Sequence, residues 1–406
     1  DRETTLQVVR ASADHLRVEA VPNLMRWVPL DEPDLMATLR NWRARWPHMG
    51  VLALLPEAEA AQVPLLQACC RELGLPLVGA IFPALVTATG FVTQGAWLLC
   101  QPVATPAFLL PEIQGEPEAA AQRIAQATQA LLARQPPGDA KPTLHLYFDG
   151  LLGRIASILD ELYLQLADSV DYAGVNAGSE TFQPMPCLFD GERVIGNGVL
   201  GLLPASGAKV VLRHGYPAPE HAMTATATVG NRIVSIDWQP AFDAYKALIA
   251  SDHGIALTRD NFYQYAVHYP FGIVRASGEV LVRIPVALDD DGALYCVGEV
   301  PENAMLVLLR APEAQASGCV LALTKALGDA HGDISPHNLL TFYCAGRRMH
   351  LGDAALGELA ELARRHPARE LGRALTLGEI GSTENWGYPA FHNAAVVCTV
   401  WPGSAP

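Results

Sequence analysis

The chain has 406 residues, a formal charge of −14 and a pI near 5.3; half of its residues are hydrophobic and 17% are charged. That acidity excludes a surface built to neutralise DNA or RNA phosphates and disfavours docking on anionic lipid, so the expected partner is a small molecule or another protein. The apolar share provides for a large core, and the length is that of two domains. No stretch approaches the roughly eighteen apolar residues of a membrane-spanning helix, and the opening residues, DRETTLQVVRASADHL, carry no signal-peptide core. Eight cysteines with no repeated short spacing make neither a zinc ribbon nor a disulfide framework, and with the missing signal they predict a reducing cytoplasm.

In chain order, Pro33 opens a helix whose apolar residues Leu35, Leu39 and Trp42 recur at helical spacing. MGVLALLP is a buried strand, Glu57 to Leu73 a helix stopped by Gly74 and Pro76, and LPLVGAIFPALV a strand, a turn and a further extended run, which together make one β-α-β passage. GFVTQGAWLLCQPV is strand-like with glycine punctuation, and Pro117 to Ala133 is an amphipathic helix closed by Pro136-Pro137-Gly138. TLHLYFDG then feeds the helix LLGRIASILDELYLQLA, with Leu152, Ile155, Leu159 and Leu162 on one face. Asp149 at the end of that strand either caps the helix or faces a ligand, because α/β proteins place ligand groups at strand ends. Gly174 to Glu180 reads as a glycine loop open to an anion, and Cys187 to Leu203 as a hairpin turning at Asp190-Gly191. PASGAK, at 204–209, marks a change of composition, so domains are expected at 1–205 and 206–406.

The second half starts with VVLRHGYPAP, a strand running into His214-Gly215. A turn at Gly230-Asn231, the strand RIVSIDW, a helix over Ala241 to Ile249, an aromatic helix over Asn261 to Ala266 and strands divided by Asp291-Gly292 follow. Ala314 to Leu327 is helical. NLLTFYCAGRRMHLG reads as a strand emerging at Cys344 and Gly346, Glu358 to Arg365 as a helix, and LTLGEIGSTENWGYPAFHN, Leu375 to Asn393, as a ligand-facing loop held by two strands. The fold class is α/β, mixed α and β, in two domains of mixed sheets flanked by helices. The letters show no internal repeat.

Motifs for the commoner catalysts are missing: there is no H-x-x-x-H, C-x-x-C, G-x-S-x-G, Walker loop or dinucleotide-binding turn. One enzyme-like arrangement remains, with Cys344 as nucleophile, His392 as base and Glu379 as the orienting carboxylate, suited to acyl or thiol chemistry. Arg347 and Arg348 follow Cys344 at a strand end, and one of them, Arg347 before Arg348, is placed to meet a ligand carboxylate in a bidentate pair. A haem needs an axial ligand in an apolar, aromatic enclosure. His268, among Phe262, Tyr263, Tyr265, Tyr269 and Phe271, is the first candidate; His214 and His392 are the others. A histidine such as His268 is more often a hydrogen-bonded core residue than a ligand.

The segments VLRHGYPAP, Thr226 with Gly230-Asn231, VGEVPEN, FYCAGRRMHLG, LGEIG and FHN, in that order, resemble the C-terminal module of the FIST family, and LYFDGLLGRI and AGVNAGSETF resemble its N-terminal module. The resemblance implies a bacterial intracellular sensory protein, not an enzyme, that binds a small ligand and passes its state to a separate signalling protein such as a histidine kinase or a cyclic-dinucleotide enzyme. Amino acids are the ligands proposed for the family, and a subset is similar to nitric-oxide sensors that carry haem b; the first expectation is a haem-based nitric-oxide sensor, and the competing one a carboxylate-bearing metabolite held by Arg347. The positions it implies as ligand contacts are His214, Gly215, Cys344, Arg347, Glu379, Gly381, His392 and Asn393. Two departures, Ala394-Ala395 after the His-Asn pair and GAIFPAL in place of a more polar turn, favour a less polar ligand.

Overall fold

Three nearly uninterrupted apolar runs, GVLALLP, TLHLYFD and NLLTFYC, each form a strand buried along its whole length, as strands covered on both faces must be. The computed structural model describes residues 23–401 apart from 137, 139–140, 205–208, 314–317, 367–370 and 383–387. Around the three runs the chain repeats one plan three times.

The first unit consists of β1 (Met25–Val28), α1 (Glu32–Arg45), β2 (Gly50–Pro56), α2 (Val63–Leu73), β3 (Leu77–Phe82), the short pair β4 (Leu85–Thr87) and β5 (Gly90–Val92), and β6 (Ala96–Gln101). The second has β7 (Ala107–Leu110), α3 (Pro117–Leu132), β8 (Thr143–Asp149), α4 (Ile155–Leu166), β9 (Asp171–Ala177), the pair β10 (Leu188–Asp190) and β11 (Val194–Ile195), and β12 (Val199–Leu202). The third opens with β13 (Val210–Arg213) and is interrupted by an insert. The insert holds β14 (Met223–Thr224), β15 (Ala227–Val229), β16 (Arg232–Ile236), β17 (Gln239–Pro240), α5 (Ala241–His253), α6 (Phe262–Ala266), β18 (Phe271–Val274), β19 (Val280–Arg283), β20 (Pro285–Leu288), β21 (Leu294–Cys296) and β22 (Met305–Leu308). The third unit resumes with α7 (Cys319–His331), β23 (Asn338–Cys344), α8 (Ala345–Leu351), α9 (Ala354–Arg365), β24 (Leu371–Thr376), the pair β25 (Glu379–Gly381) and β26 (Ala390–His392), and β27 (Val396–Trp401).

In every unit the central strand runs parallel to the strand that follows its helix: β2 with β3, β8 with β9 and β23 with β24. The last strand returns antiparallel to the central one, and the first strand lies at the edge. The remaining two places in each sheet are filled by another unit's short pair. β10 adds to β3, β25 to β9 and β4 to β24, so the exchange closes in a ring. Helices cover the outer faces, through Ile124, Leu159 and Leu162 on the second sheet and Leu323, Leu359 and Leu362 on the third. The inner faces meet where Phe342 lies 5.6 Å from Phe82 and 6.0 Å from Tyr147, measured between ring centroids.

Several expectations change in detail. Residues 57–62 form a 3₁₀ turn, and the α-helix starts afresh at Val63, where Pro64 fits its first turn. The loop expected over Gly174 to Glu180 starts later: residues 174–177 lie within β9, where a Cβ on Gly174 would stand 2.0 Å from the Leu146 carbonyl oxygen, and the Gly178 amide is taken by the Ile81 carbonyl. Asp149 is not the cap of α4, which starts after Arg154; its carboxylate accepts from the Leu151 amide at 3.0 Å and the Asn197 amide at 2.7 Å. Arg347 and Arg348 are on helix α8 rather than at a strand end. The boundary expected at 204–209 falls largely on 205–208, outside the described residues.

Candidate functional site

Glu379 and His392 are not loop residues. They face each other as cross-strand partners in β25 and β26, the pair that the third unit lends to the second. β23 ends at Cys344 beside them. The thiol sulfur accepts from the amides of Ala394, Gly346 and Arg347, and burial pushes the thiol up. The Glu379 carboxylate accepts from the Thr376 hydroxyl and the Ala395 amide, both at 2.9 Å, with Cys344 as a further partner. Burial outweighs these donors and pushes its carboxyl up to about 8.

His392 donates from Nε2 to the Gly381 carbonyl at 3.2 Å, while its Nδ1 is buried without a partner. Burial, helped by His214 and Arg283, holds it well below the usual imidazole range. The His214 ring lies 6.3 Å away, donating from Nε2 to the Val280 carbonyl at 2.8 Å and accepting at Nδ1 from the Tyr216 amide at 2.9 Å. It is neutral, lowered by burial to about 4. Asn393 accepts from the Ile284 amide at 2.9 Å, and Gly215 takes the positive φ of 75° that lets the chain turn away from His214.

Most of the sequence-derived positions therefore converge, but on a buried joint. Arg347 is expected to bind a ligand carboxylate; its bidentate partner is instead Glu358 of the same chain, at 2.5 and 2.9 Å, and its remaining Nη1 donates to the His214 and Ala394 carbonyls. The nucleophile arrangement is corrected as well. The group hydrogen-bonded to the Cys344 thiol is the Glu379 carboxyl and not the His392 imidazole, and burial holds the thiol in its protonated form, the opposite of an activated nucleophile.

Two clefts border the joint. One, of about 530 Å³, is lined by Ser157 and Asp160 of α4, Arg275, Arg283 and Glu299 of the insert, and Phe391 next to His392, and its size is in the usual ligand range of about 300–1,000 Å³. Arg283 is fully buried, donating to the carbonyls of Glu299 and Phe391 at 2.8 and 2.7 Å. Ser157 donates from its amide to Glu299 at 3.0 Å, joining α4 to the insert. Asp160 accepts from the Tyr388 hydroxyl at 2.6 Å, and Arg275 lies over the Tyr388 ring with no carboxylate partner among the described residues. The second cleft, of about 650 Å³, is lined by Gly215, Pro217, His268, Tyr269, Arg310, Glu313 and His350, among others.

Sequence reasoning missed Arg275, Arg283, Ser157 and Asp160. Glu299 was within reach, because it sits in the VGEVPEN segment singled out for the resemblance. An inward arginine in the strand VLVRIP was the one signal for Arg283: it interrupts an otherwise apolar buried run.

The surroundings of His268 depart from the expected aromatic enclosure. Phe262 and Phe271 pack with Phe242 and Tyr245 in the core of the insert, and Tyr263 is 63% exposed. Among the described residues no helix is long and apolar enough to cross a membrane.

Comparison with known proteins returned no match among curated sequences. Family descriptions do match: the FIST N domain over residues 51–239 and the FIST C domain over residues 241–382. The first of the two clefts takes Ser157 and Asp160 from the former region and Arg275, Arg283 and Glu299 from the latter, so it lies at their seam. With both domains present over most of its length, the chain belongs to the FIST family.

Proposed function

We propose that this chain senses a small metabolite carrying a carboxylate, amino acids being the leading class, by enclosing it in the cleft between α4 and the insert. FIST domains are associated with sensory signal transduction and small-ligand binding. The observation that carries the proposal is the lining of the cleft: Arg275, a guanidinium without a carboxylate partner among the described residues, shares it with the carboxylate of Asp160. A carboxylate suits the first and an ammonium the second. The ligand moves a population only as far as it favours one arrangement of the modules over another. The Ser157–Glu299 contact across the seam and Phe391, one residue from His392, are the parts it would bias. The output then passes, in the bacterial cytoplasm, to a separate signalling protein such as a histidine kinase or a cyclic-dinucleotide enzyme.

Thermal-shift titration with the amino acids and small dicarboxylates tests this. At least one is expected to raise the melting temperature of the natural chain, and Arg275→Ala is expected to lose that rise while folding normally. A rise of the same size in Arg275→Ala sinks the assignment of the cleft.

The haem-carrying reading expected first from the sequence, with nitric oxide as the sensed gas, meets a poorer fit. His214 and His392 are enclosed, with ring nitrogens on carbonyls. His268 borders a cleft whose walls include Arg310, Glu313 and His350 and, of the expected aromatic set, Tyr269 alone; a porphyrin needs an apolar slot for both faces. These residues do not fit a haem. Reconstitution with haem b is accordingly expected to give no stoichiometric Soret band, and a sharp band that shifts with nitric oxide would restore the haem reading.

A further inference from the structure

The second cleft contains a feature that the proposed ligand site does not use. His268, which follows α6 in the insert, and His350, on α8, bring their Nδ1 atoms to 2.5 Å from each other, with the rings 4.7 Å apart and steeply inclined. His350 donates from Nε2 to the Pro312 carbonyl at 3.2 Å. That bond fixes the hydrogen on Nε2 and leaves the Nδ1 lone pair of His350 pointing at His268, which is the tautomer-setting device of metal-bound histidines. Nitrogens this close share a hydrogen, and a cation takes its place only if the rings part.

We propose that His268 and His350 bind a divalent transition-metal ion through their Nδ1 atoms, zinc being the simplest occupant, and that the ion pins the insert to helix α8. Imidazole nitrogens suit this class of ion, and magnesium or calcium would require oxygen donors. With zinc–nitrogen bonds of about 2.0–2.1 Å and a tetrahedral angle, the two nitrogens would sit roughly 3.3 Å apart. The rings need only part by less than about 1 Å, and both border open space of about 650 Å³. No set of three His, Cys, Asp or Glu side chains is grouped for a metal among the described residues. Two protein ligands leave the other positions to exchangeable groups, so this is an open site rather than a closed structural one. Arg310 lines the same cleft and suits an anion as one of those groups; Glu313 lines it too. The ion's attachment to α8 places it on the helix whose Arg347 holds the buried joint.

The site is independent of the carboxylate cleft, and its test is too. Chelator-treated protein is titrated with zinc chloride by calorimetry and with cobalt chloride by visible absorption. One equivalent per chain is expected, with loss of binding in both His268→Gln and His350→Gln and retention in Arg275→Ala. In the natural chain, long-range proton–nitrogen NMR is expected to show Nδ1 of both imidazoles shifting on zinc addition; this arm stands even if a variant fails to fold. Absence of one-equivalent binding, binding undiminished in either folded histidine variant, or a shift at fewer than both Nδ1 atoms overturns the proposal.

Discussion

Replacing Glu358 with alanine is expected to destabilise the protein by about 3–5 kcal/mol, the cost of stranding a buried charge. The Arg347–Glu358 pair has side chains only 2% exposed on each side. The carboxylate takes two guanidinium nitrogens and the Tyr343 hydroxyl, at 2.9 Å. The other face of the guanidinium holds the carbonyls of His214 and Ala394, where the insert begins and where β27 is entered. Without Glu358 the cation has no opposite charge inside the packing, and water cannot reach it. Denaturant unfolding monitored by tryptophan fluorescence reads the loss, and a midpoint within experimental error of the natural protein would refute it. The double variant Glu358→Leu with Arg347→Met is expected to recover most of the loss, because removing both charges also removes the desolvation cost.

Stability is also expected to fall as the pH rises from about 5 to 8, because of Glu379. Its carboxyl titrates near 4.5 in the unfolded chain and is pushed up to about 8 by burial in the fold. Between those values the folded chain holds a proton that the unfolded chain has released. The stabilisation is thus complete below the lower value, declines by up to roughly 1.4 kcal/mol per pH unit between the two, and is gone above the upper one. Glu379→Gln keeps the hydrogen-bonding shape without the titration, so its unfolding free energy should lose this slope and exceed that of the natural protein above pH 8. Unfolding measured at intervals from pH 5 to 9 in both proteins decides the matter, and parallel curves would show that Glu379 does not titrate in this range.

Where the apolar period was strong, local structure could be read from the letters. The strands MGVLALLP, TLHLYFDG and NLLTFYC, the helix after Pro117 and the helix after Pro33, capped by Asp31 on the Asp34 amide at 2.8 Å, all form. The threefold plan stayed hidden because what recurs is the order of strands and helices and not the residue at any place in them. The ends of the three central strands illustrate this: Pro56, Asp149 and Cys344 occupy the same topological position. The second and third even share a role. Asp149 and Cys344 each accept from an amide two residues on and from a residue of positive φ, Asn197 or Ala394, in the turn before the last strand. The positions that the resemblance names, Cys344, Arg347, Glu379 and His392 among them, lie together in the buried joint. Their burial was not legible, because burial is a property of packing between distant segments, which a single sequence does not display. The guanidinium with no carboxylate partner among the described residues of the cleft is Arg275, in the turn just after β18, where nothing in the neighbouring letters sets it apart.

The ring of lent strand pairs has a consequence for how this polypeptide comes into being. While synthesis is under way, the sheet around β8 and β9 presents a bare edge until residues 379–392 leave the ribosome, and the pair 85–92 waits for a host strand, β24, nearly three hundred residues downstream. No third of the molecule is a finished body by itself, so an amino-terminal fragment ending near residue 240 would carry unpaired edges, the usual invitation to aggregation. Assembly is held open until the final strands arrive, and the seam where ligand is proposed to bind exists only once the whole circle has shut.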